Sequence, residues 1–492
     1  MIALPALSAL LAATLSLELV GVNAHGPHAH AHVAHKRQLA AASSGSASVA
    51  APTTSATSAL AATSAAATVS TAASAGTTSA APASGPATTA AAGSAIGTGS
   101  YSVPPLESIS VGMPSGAIPT LTTTYTPGAS PTYLSGAPPL PTKFAFSSAD
   151  WPELDKIPPT DTDQVKQWMK ELDGHDIPDI TPTQDGSCAG DAAAAAQAQE
   201  RGWWTCGGYT SGNDIVSCPD KMTWGVSFDD GPAPYSSQRR KKLLQYLDDK
   251  DISATFFVVG SRVISYPDIL IAEYMAGHEI AVHTWSHHPL TAMTNEQIVA
   301  ELGWTRHAIQ TVLGVTPTFM RAPFGDIDNR VRAISNAMGM RPIIWTTGPG
   351  GPFDTNDWHV PAGSVTAQEQ YSIFQGLLGN ATLMDTGFIV LEHDLFEITV
   401  DLAVGYTLDA ALNHKPAFNL ESIGQCLSLN AGDLYAETAT TNVSTVNVTS
   451  SGTNSSSAAA TGGSGSSGAA PRTAVSVSAL VGVGAVLLAS LL

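Results

Sequence analysis

The residues of this chain best suited to chemistry fall in four short segments, each at the end of an apolar run. They read Ser-Phe-Asp-Asp-Gly-Pro at 227–232, His-Thr-Trp-Ser-His at 283–287, Arg-Ala-Pro-Phe-Gly at 321–325 and Leu-Glu-His-Asp at 391–394. Together they supply carboxylates, imidazoles and a guanidinium, an inventory that core packing does not require. Such a set suits metal-assisted hydrolysis of an amide or ester.

Two histidines and two aspartates form the candidate metal set. His283 and His287 are four residues apart, so a helical turn brings both imidazoles to one side. Two neutral imidazoles and one carboxylate are a common zinc set that leaves a position open for water. Asp229 and Asp230 are adjacent at a predicted strand end, where neighbouring side chains point in opposite directions. One is therefore expected to bind the metal while the other faces the substrate.

Short apolar strands alternate with amphipathic helices from Met222 onward. The pattern predicts strands at 223–228, 254–259, 279–283, 318–321, 342–346 and 388–393, and helices at 238–248, 268–276, 294–313, 329–338 and from 407 to 413. Thr294 and Gln297 form a predicted capping box. The alternation indicates an α/β fold with parallel strands and helical crossovers, and the number of units favours a barrel over an open sheet. The polar segments follow the strand ends, the rim where barrel enzymes place their chemistry.

The same segments, taken in order with Asp-Thr-Asn-Asp-Trp at 354–358, resemble the five motifs of carbohydrate esterase family 4. These are the polysaccharide deacetylases with a NodB homology domain, and the resemblance is closest to the fungal chitin deacetylases. It covers about 220–400, with further similarity at 203–208 and 217–219. The resemblance implies a distorted parallel (β/α) barrel of the polysaccharide deacetylase type. Ser227, Ala322 and Phe324 stand where threonine, proline and tyrosine are more frequent in the family.

The resemblance also implies roles for individual positions. The metal ligands would be Asp230, His283 and His287, holding one divalent ion, Zn²⁺ or Co²⁺. Asp229 would be the general base that activates the attacking water. Arg321 would pair with Asp229 and keep it ionised and oriented, because a neighbouring guanidinium favours the charged carboxylate.

The general acid implied by the resemblance is His393, which would protonate the leaving amine. An aspartate of the fourth motif, Asp354 or Asp357, would tune it, and both alternatives stay open at this point. Substrate contacts are expected from the backbone N–H of Phe324, which would stabilise the oxyanion, and from Trp358 and Leu391, which would line the acetyl pocket. We add Trp285 as a sugar-stacking ring, because it lies inside the metal segment.

The composition of the chain predicts a series of segments, of which some are removed during maturation and others remain in the mature protein. We expect a signal peptide at 1–24, a propeptide at 25–37 and a low-complexity Ser/Thr/Ala/Pro-rich segment at 38–144. An N-terminal extension of the catalytic domain is expected at 145–219 and the catalytic domain itself at 220–435. A Ser/Thr-rich stalk with a glycosylphosphatidylinositol (GPI) attachment region at 436–468 and a removable GPI signal at 469–492 are expected to follow. A transmembrane helix is the alternative for the apolar tail, which lacks flanking Lys or Arg.

Charge, cysteines and sequons agree with a secreted protein. The formal net charge is −19, which argues against nucleic acid as a partner. The four cysteines, Cys188, Cys206, Cys218 and Cys426, predict two disulfides with three pairings open. N-glycosylation sequons begin at Asn380, Asn442, Asn447 and Asn454.

Taken with these features, the resemblance implies an extracellular hydrolase that removes N-acetyl groups from chitin, giving chitosan and acetate in a fungal cell wall. Its expected partners are the chitin substrate, the glucan and chitin matrix of the wall, and the outer face of the plasma membrane through the lipid anchor. The alternatives are deacetylation of another acetylated polysaccharide and a non-catalytic wall-binding protein on the same scaffold. The intact Asp229, His283 and His393 argue against the second alternative.

Overall fold

A computed structural model describes residues 103–113, 124–236 and 243–440 of the chain. Over these ranges the strands are β1 Thr223–Asp229, β2 Thr255–Val258, β3 Glu279–Val282, β4 Phe319–Met320, β5 Arg341–Pro342, β6 Thr347–Gly348, β7 Gly351–Pro352, β8 Phe388–Ile389 and β9 Asn419–Ser422. The α-helices are α1 Asp163–Met169, α2 Ala192–Ala195, α3 Ala198–Arg201, α4 Leu243–Asp249, α5 Gly260–Ser265, α6 Pro267–Met275, α7 Asn295–Leu313, α8 Asn329–Ala337, α9 His359–Ala362, α10 Ala367–Ala381, α11 Glu397–Leu402, α12 Leu408–Asn413 and α13 Ile423–Cys426.

The main sheet is parallel, with strand order β5-β4-β3-β2-β1-β8, and β9 also pairs with β1. Strand β1 is buried along its whole length, as expected for the central strand of a parallel sheet covered on both faces. The chain after β5 returns to the opposite edge, where the N–H of Thr346 donates to the carbonyl of Ile389 at 3.0 Å. The predicted α/β architecture is therefore confirmed, as a curled half-barrel whose far edges meet through irregular backbone.

Most predicted elements are present, with boundaries that differ by a few residues. The capping box at the start of α7 is formed: the hydroxyl of Thr294 accepts from the N–H of Gln297, whose side-chain oxygen accepts from the N–H of Thr294. Part of the predicted helix at 238–248 lies outside the described residues, and the remainder is α4. Helices α5 and α10 were not predicted. Helix α10 nevertheless begins at a second capping box, Thr366 with Glu369, which is visible in the sequence.

The segment before β1 packs on the catalytic domain, and more of it does so than predicted. Ile109, Leu134 and Leu140 are buried at 2%, 3% and 5% exposure. They lie at 103–113 and 124–144, within the segment interpreted as low-complexity, so part of that segment packs on the domain. Isolated apolar residues among Pro, Ser and Gly are sufficient here, because the domain provides the surface that buries them.

Two disulfides link the four cysteines. Cys188 bonds to Cys206, and Cys218 bonds to Cys426, with Cα atoms 5.6 Å and 5.5 Å apart. The first bridge lies within the N-terminal extension. The second connects the residues just before β1 to the end of α13, and thereby joins the two ends of the catalytic domain.

The predicted addressing signals lie outside the described residues. This applies to the segments 1–24, 25–37 and 469–492, to the stalk beyond residue 440 and to the sequons at Asn442, Asn447 and Asn454. Asn380 lies in the last turn of α10 and is half-buried. Within the described ranges, no helix has both the length and the apolar character to cross a membrane.

Candidate active site

The carboxylate of Asp229 lies at the carboxyl end of β1, paired with the buried Arg321. The Nη1 of Arg321 is 2.6 Å from Asp229 Oδ1 and 3.1 Å from the hydroxyl of Ser227. Both ionic side chains are almost completely buried, at 2% and 0% exposure. The guanidinium also lies 4.0 Å from the centre of the Phe257 ring. Arg321 thus pairs with Asp229 and holds its carboxylate in one orientation, and an unpaired carboxylate would be costly at this depth.

The predicted ligands meet beside this pair. His287 Nε2 lies 2.9 Å and His283 Nε2 lies 3.5 Å from Oδ1 of Asp230. One ligand atom from each of the three residues lies within 4.8 Å of the others. The side chains come from the ends of β1 and β3 and from the loop that follows β3. This is the only such group of three among the described residues.

The donor set fits a divalent cation. His283 Nδ1 is 2.8 Å from the carbonyl oxygen of Arg321 and donates to it, which leaves Nε2 with its lone pair directed to the site. Burial lowers the pKa of His287 to about 4, against the opposing effect of Asp230, so this imidazole is neutral at physiological pH. Oδ1 of Asp230 is buried and receives no well-aligned hydrogen bond. Two neutral imidazoles and a carboxylate oxygen of this kind are typical zinc ligands.

A buried glutamate that we did not predict shapes the loop between the histidines. Glu301 of α7 accepts from the N–H groups of Trp285 and Ser286 at 2.8 Å and 2.9 Å, and from the Ser286 hydroxyl. Burial raises the pKa of Glu301 to about 7, and these hydrogen bonds oppose the rise. The signal in the sequence is an acidic residue on the apolar face of a long helix.

Arg262 of α5 is a second residue that we did not predict. The residue is 5% exposed, and its guanidinium donates to the carbonyl oxygen of Asp230 and lies 4.0 Å from Oδ1 of Asp230. Asp230 has a left-handed backbone with φ of 81°. The hydrogen bond therefore supports a main-chain conformation that a non-glycine residue rarely adopts.

The predicted acid, His393, pairs with Asp357. His393 Nδ1 lies 2.7 Å from Asp357 Oδ1, and the N–H of His393 donates to Oδ2 at 2.8 Å. Burial, the largest effect, opposes protonation, but the carboxylates of Asp357, Asp230 and Asp229 together outweigh it and raise the pKa of His393 to about 10. The other alternative, Asp354, instead accepts from the N–H of Asn356 at 2.7 Å within its own turn. A backbone bridge between Asp229 and His393 places the predicted base and the predicted acid side by side on the rim.

The predicted substrate contacts divide into two groups. Phe324 has φ of 61° and its ring lies edge-on to His287 at 4.7 Å, while Trp358 stacks on His359 and Leu391 is 5% exposed. These three lie around the site, and their roles stay predictions. Trp285 does not belong with them. It is completely buried, and its indole N–H donates to the carbonyl of Glu153, so the prediction that it stacks on a sugar ring is wrong.

Comparison with known proteins agrees with this geometry. The profile of the family described as Polysaccharide deacetylase matches residues 217–343. A relative that is 48% identical over 360 residues covers 72% of this chain and 74% of its own length. The chain belongs to the polysaccharide deacetylase family. That relative is a chitin deacetylase 1 of Cryptococcus neoformans var. grubii serotype A.

Other similar proteins match shorter stretches. A chitin deacetylase of Amylomyces rouxii is 32% identical over 277 residues, which are 53% of this chain and 63% of that protein. Among solved structures, the chitin deacetylase of Colletotrichum lindemuthianum aligns with a TM-score of 0.41 and 25% identity. That alignment covers 46% of this chain and 97% of that one.

Proposed function

We propose that this protein is a metal-dependent hydrolase that removes the acetyl group from N-acetylglucosamine residues of chitin and releases acetate. Three groups of side chains meet at one rim of the parallel sheet: Asp229 with Arg321, the three candidate ligands, and His393 with Asp357. This convergence is the observation that carries the proposal. The family and the chitin deacetylases at up to 48% identity support the substrate.

Asp229 is proposed as the base. Its carboxylate accepts a proton from the attacking water, while the water oxygen forms a bond to the carbonyl carbon of the acetamide. Arg321 keeps Asp229 charged before the step. Asp230, His283 and His287 would hold the divalent ion, which supplies Lewis acidity toward the carbonyl and the water.

His393 is proposed as the acid that completes the reaction. Its pKa of about 10 keeps the imidazole protonated at neutral pH, so a proton is available for the leaving nitrogen. Transfer of that proton allows the C–N bond to break, giving acetate and a free amine on the sugar. Asp357 holds Nδ1, which leaves Nε2 as the nitrogen for this transfer. The N–H of Phe324 is proposed to stabilise the oxyanion.

The location of the protein is also a proposal. The apolar first segment, the Ser/Thr-rich stalk and the apolar tail support secretion and attachment by a GPI lipid to the outer face of the plasma membrane, within reach of the wall. The two disulfides support an oxidising compartment.

The function is tested by measuring acetate release from chitin oligomers by the purified full chain, before and after chelation and with Zn²⁺ or Co²⁺ added back. We expect chelation to stop release and metal to restore it. Release from another acetylated polysaccharide but not from chitin would replace the substrate. Absence of release from a panel of acetylated polysaccharides, with metal bound, would instead favour the wall-binding alternative.

A further inference from the structure

The loop at 284–287 follows one candidate histidine ligand, His283, and ends at the other, His287. It contacts a part of the chain outside the matched family region. The ring of Trp285 lies parallel to that of Trp151, with an interplanar angle of 4° and centroids 6.1 Å apart. Its indole N–H donates to the carbonyl oxygen of Glu153 at 3.1 Å. Both contacts come from the N-terminal extension, whereas the family match begins at residue 217.

The same segment reaches the main chain of this loop. The carbonyl oxygen of Trp285 accepts from the N–H of Ser261 at 3.2 Å. The hydroxyl of Ser261 in turn donates to Oδ1 of Asp155 at 3.0 Å. Residues 151–155 therefore support Trp285 at its ring directly and at its carbonyl through one intermediate residue.

This loop needs such support because its backbone is strained. Thr284 and His287 have φ of 64° and 57°, in the left-handed region that is unfavourable for non-glycine residues. Strained conformations persist only where surrounding contacts determine them. Glu301 fixes the N–H groups of the loop. The indole of Trp285 is the largest side chain between the ligands, and it contacts both Trp304 of α7 and Trp151 of the extension.

We propose that Trp151 and Asp155 are positioning residues for the metal centre, so that the extension is an integral part of the site. Loss of the flat ring of Trp151 would leave Trp285 without its stacked neighbour, and the loop would relax. His287 follows Trp285 by two residues and would then move away from Asp230 Oδ1, now 2.9 Å from its Nε2. This inference rests on the proposed metal site, and its test does not use the deacetylation reaction.

The test is the affinity of the metal-free full chain for Co²⁺, measured by its visible absorption and by competition with a chelator. Trp151→Leu keeps an apolar side chain and removes the stacking face. The matched control is Trp168→Leu: this half-buried tryptophan of α1 also packs on Trp304, with ring centroids 5.4 Å apart against 5.9 Å for Trp151. We expect Trp151→Leu to weaken Co²⁺ binding about tenfold or more and to change the absorption spectrum. Trp168→Leu should bind as the wild type does.

The outcomes separate the proposals. Equal affinities of Trp151→Leu and Trp168→Leu would overturn the positioning role, since any loss would then reflect general stability. A wild-type chain that binds no Co²⁺ would overturn the metal site itself. If Trp151→Leu does not fold, the Co²⁺ affinity of Asp155→Ala is the test of the positioning role. Asp155 is half-buried and supports the loop from outside the core. Asp155→Ala is expected to weaken Co²⁺ binding several-fold, and unchanged affinity in that variant would also count against the proposal.

Discussion

At the scale of single residues, each ionisable group of the site has a different partner. Asp229 pairs with a buried guanidinium, Asp230 faces two imidazoles, and His393 pairs with a buried carboxylate. These environments favour an oriented carboxylate at Asp229, an available ligand oxygen at Asp230 and a protonated imidazole at His393, as the proposed roles of base, ligand and acid require. The roles can therefore be distinguished by changing one residue at a time.

Asp229→Asn is expected to abolish turnover and to leave metal content unchanged. The base is not among the three candidate ligands, and its loss should lower kcat by about 10²- to 10⁴-fold. Metal content by elemental analysis and acetate release measure the two effects. In the control, His283→Ala, both metal and activity should be lost. Full activity of Asp229→Asn, with wild-type metal content, would rule out the role of base.

Asp357→Asn is expected to move the alkaline limb of the kcat profile to lower pH. The proposed acid works when protonated, so activity should fall as pH rises through the pKa of His393, which Asp357, Asp230 and Asp229 together raise to about 10. Removing the carboxylate should lower that pKa by roughly 1–3 units. The control Asp354→Asn should leave the limb in place, because Asp354 accepts from Asn356 instead. An alkaline limb unmoved in Asp357→Asn would contradict this pairing.

At the scale of elements, the proposed catalytic residues lie at the ends of the parallel strands. Buried carboxylates form hydrogen bonds between those strand ends and the helices. Glu392 follows β8 and is completely buried. Its Oε1 accepts from the hydroxyl of Thr407, just before α12. Burial raises the pKa of Glu392 to about 8, and the nearby charge of Asp357 adds to the rise.

Glu392→Gln is expected to flatten the dependence of stability on pH. Because the folded pKa lies above the unfolded value of about 4.3, the folded state binds more protons between these values, and stability falls as pH rises toward 8. Glutamine can still accept from Thr407 and does not titrate. Urea unfolding at pH 5 and pH 8 should show a smaller difference for Glu392→Gln than for the wild type. Glu296→Gln, on an exposed turn, is the control and should behave as wild type; equal slopes in Glu392→Gln and the wild type would contradict the assignment.

The elements also show where sequence-based prediction succeeds. Strands such as β1 and the capping box of α7 were predicted because their signals are local: a continuous apolar run and two residues three apart. The motif residues were found for the same reason. Whether Asp354 or Asp357 meets His393 depends on the path of one loop, which spacing does not specify. The burial of Trp285 depends on Trp151, a residue far away in sequence, and could not be predicted from its own neighbours.

At the scale of the whole molecule, the catalytic domain is closed by contacts between distant parts of the chain. Asp326 accepts from Trp203 Nε1 at 2.7 Å, and this contact ties the N-terminal extension to the turn before α8. The Cys218–Cys426 bridge spans a sequence separation of 208 residues, against 18 for Cys188–Cys206. In the chain-entropy account, a crosslink that closes a longer loop restricts the unfolded chain more.

Replacing both Cys218 and Cys426 by serine is therefore expected to reduce the free energy of unfolding by about 2–5 kcal/mol. The same replacement of Cys188 and Cys206 should cost less. Denaturant titrations of both variants, compared at their midpoints and slopes, measure the difference. A larger loss from the short loop would contradict the entropic account and indicate that local packing around each bridge dominates.

The long bridge also has a consequence for the order of events during biosynthesis. A chain made from its N-terminus in an oxidising compartment can join Cys188 to Cys206 after 18 further residues, but Cys218 must wait for 208. Until then Cys218 lacks its partner of the folded structure, and a product that stops before residue 426 never acquires it. Formation of the second bridge therefore requires that synthesis has reached α13, the last α-helix of the domain. A shortened chain that ends between residues 218 and 426 has three cysteines and cannot pair all of them internally, a difference on which thiol-dependent quality control can act.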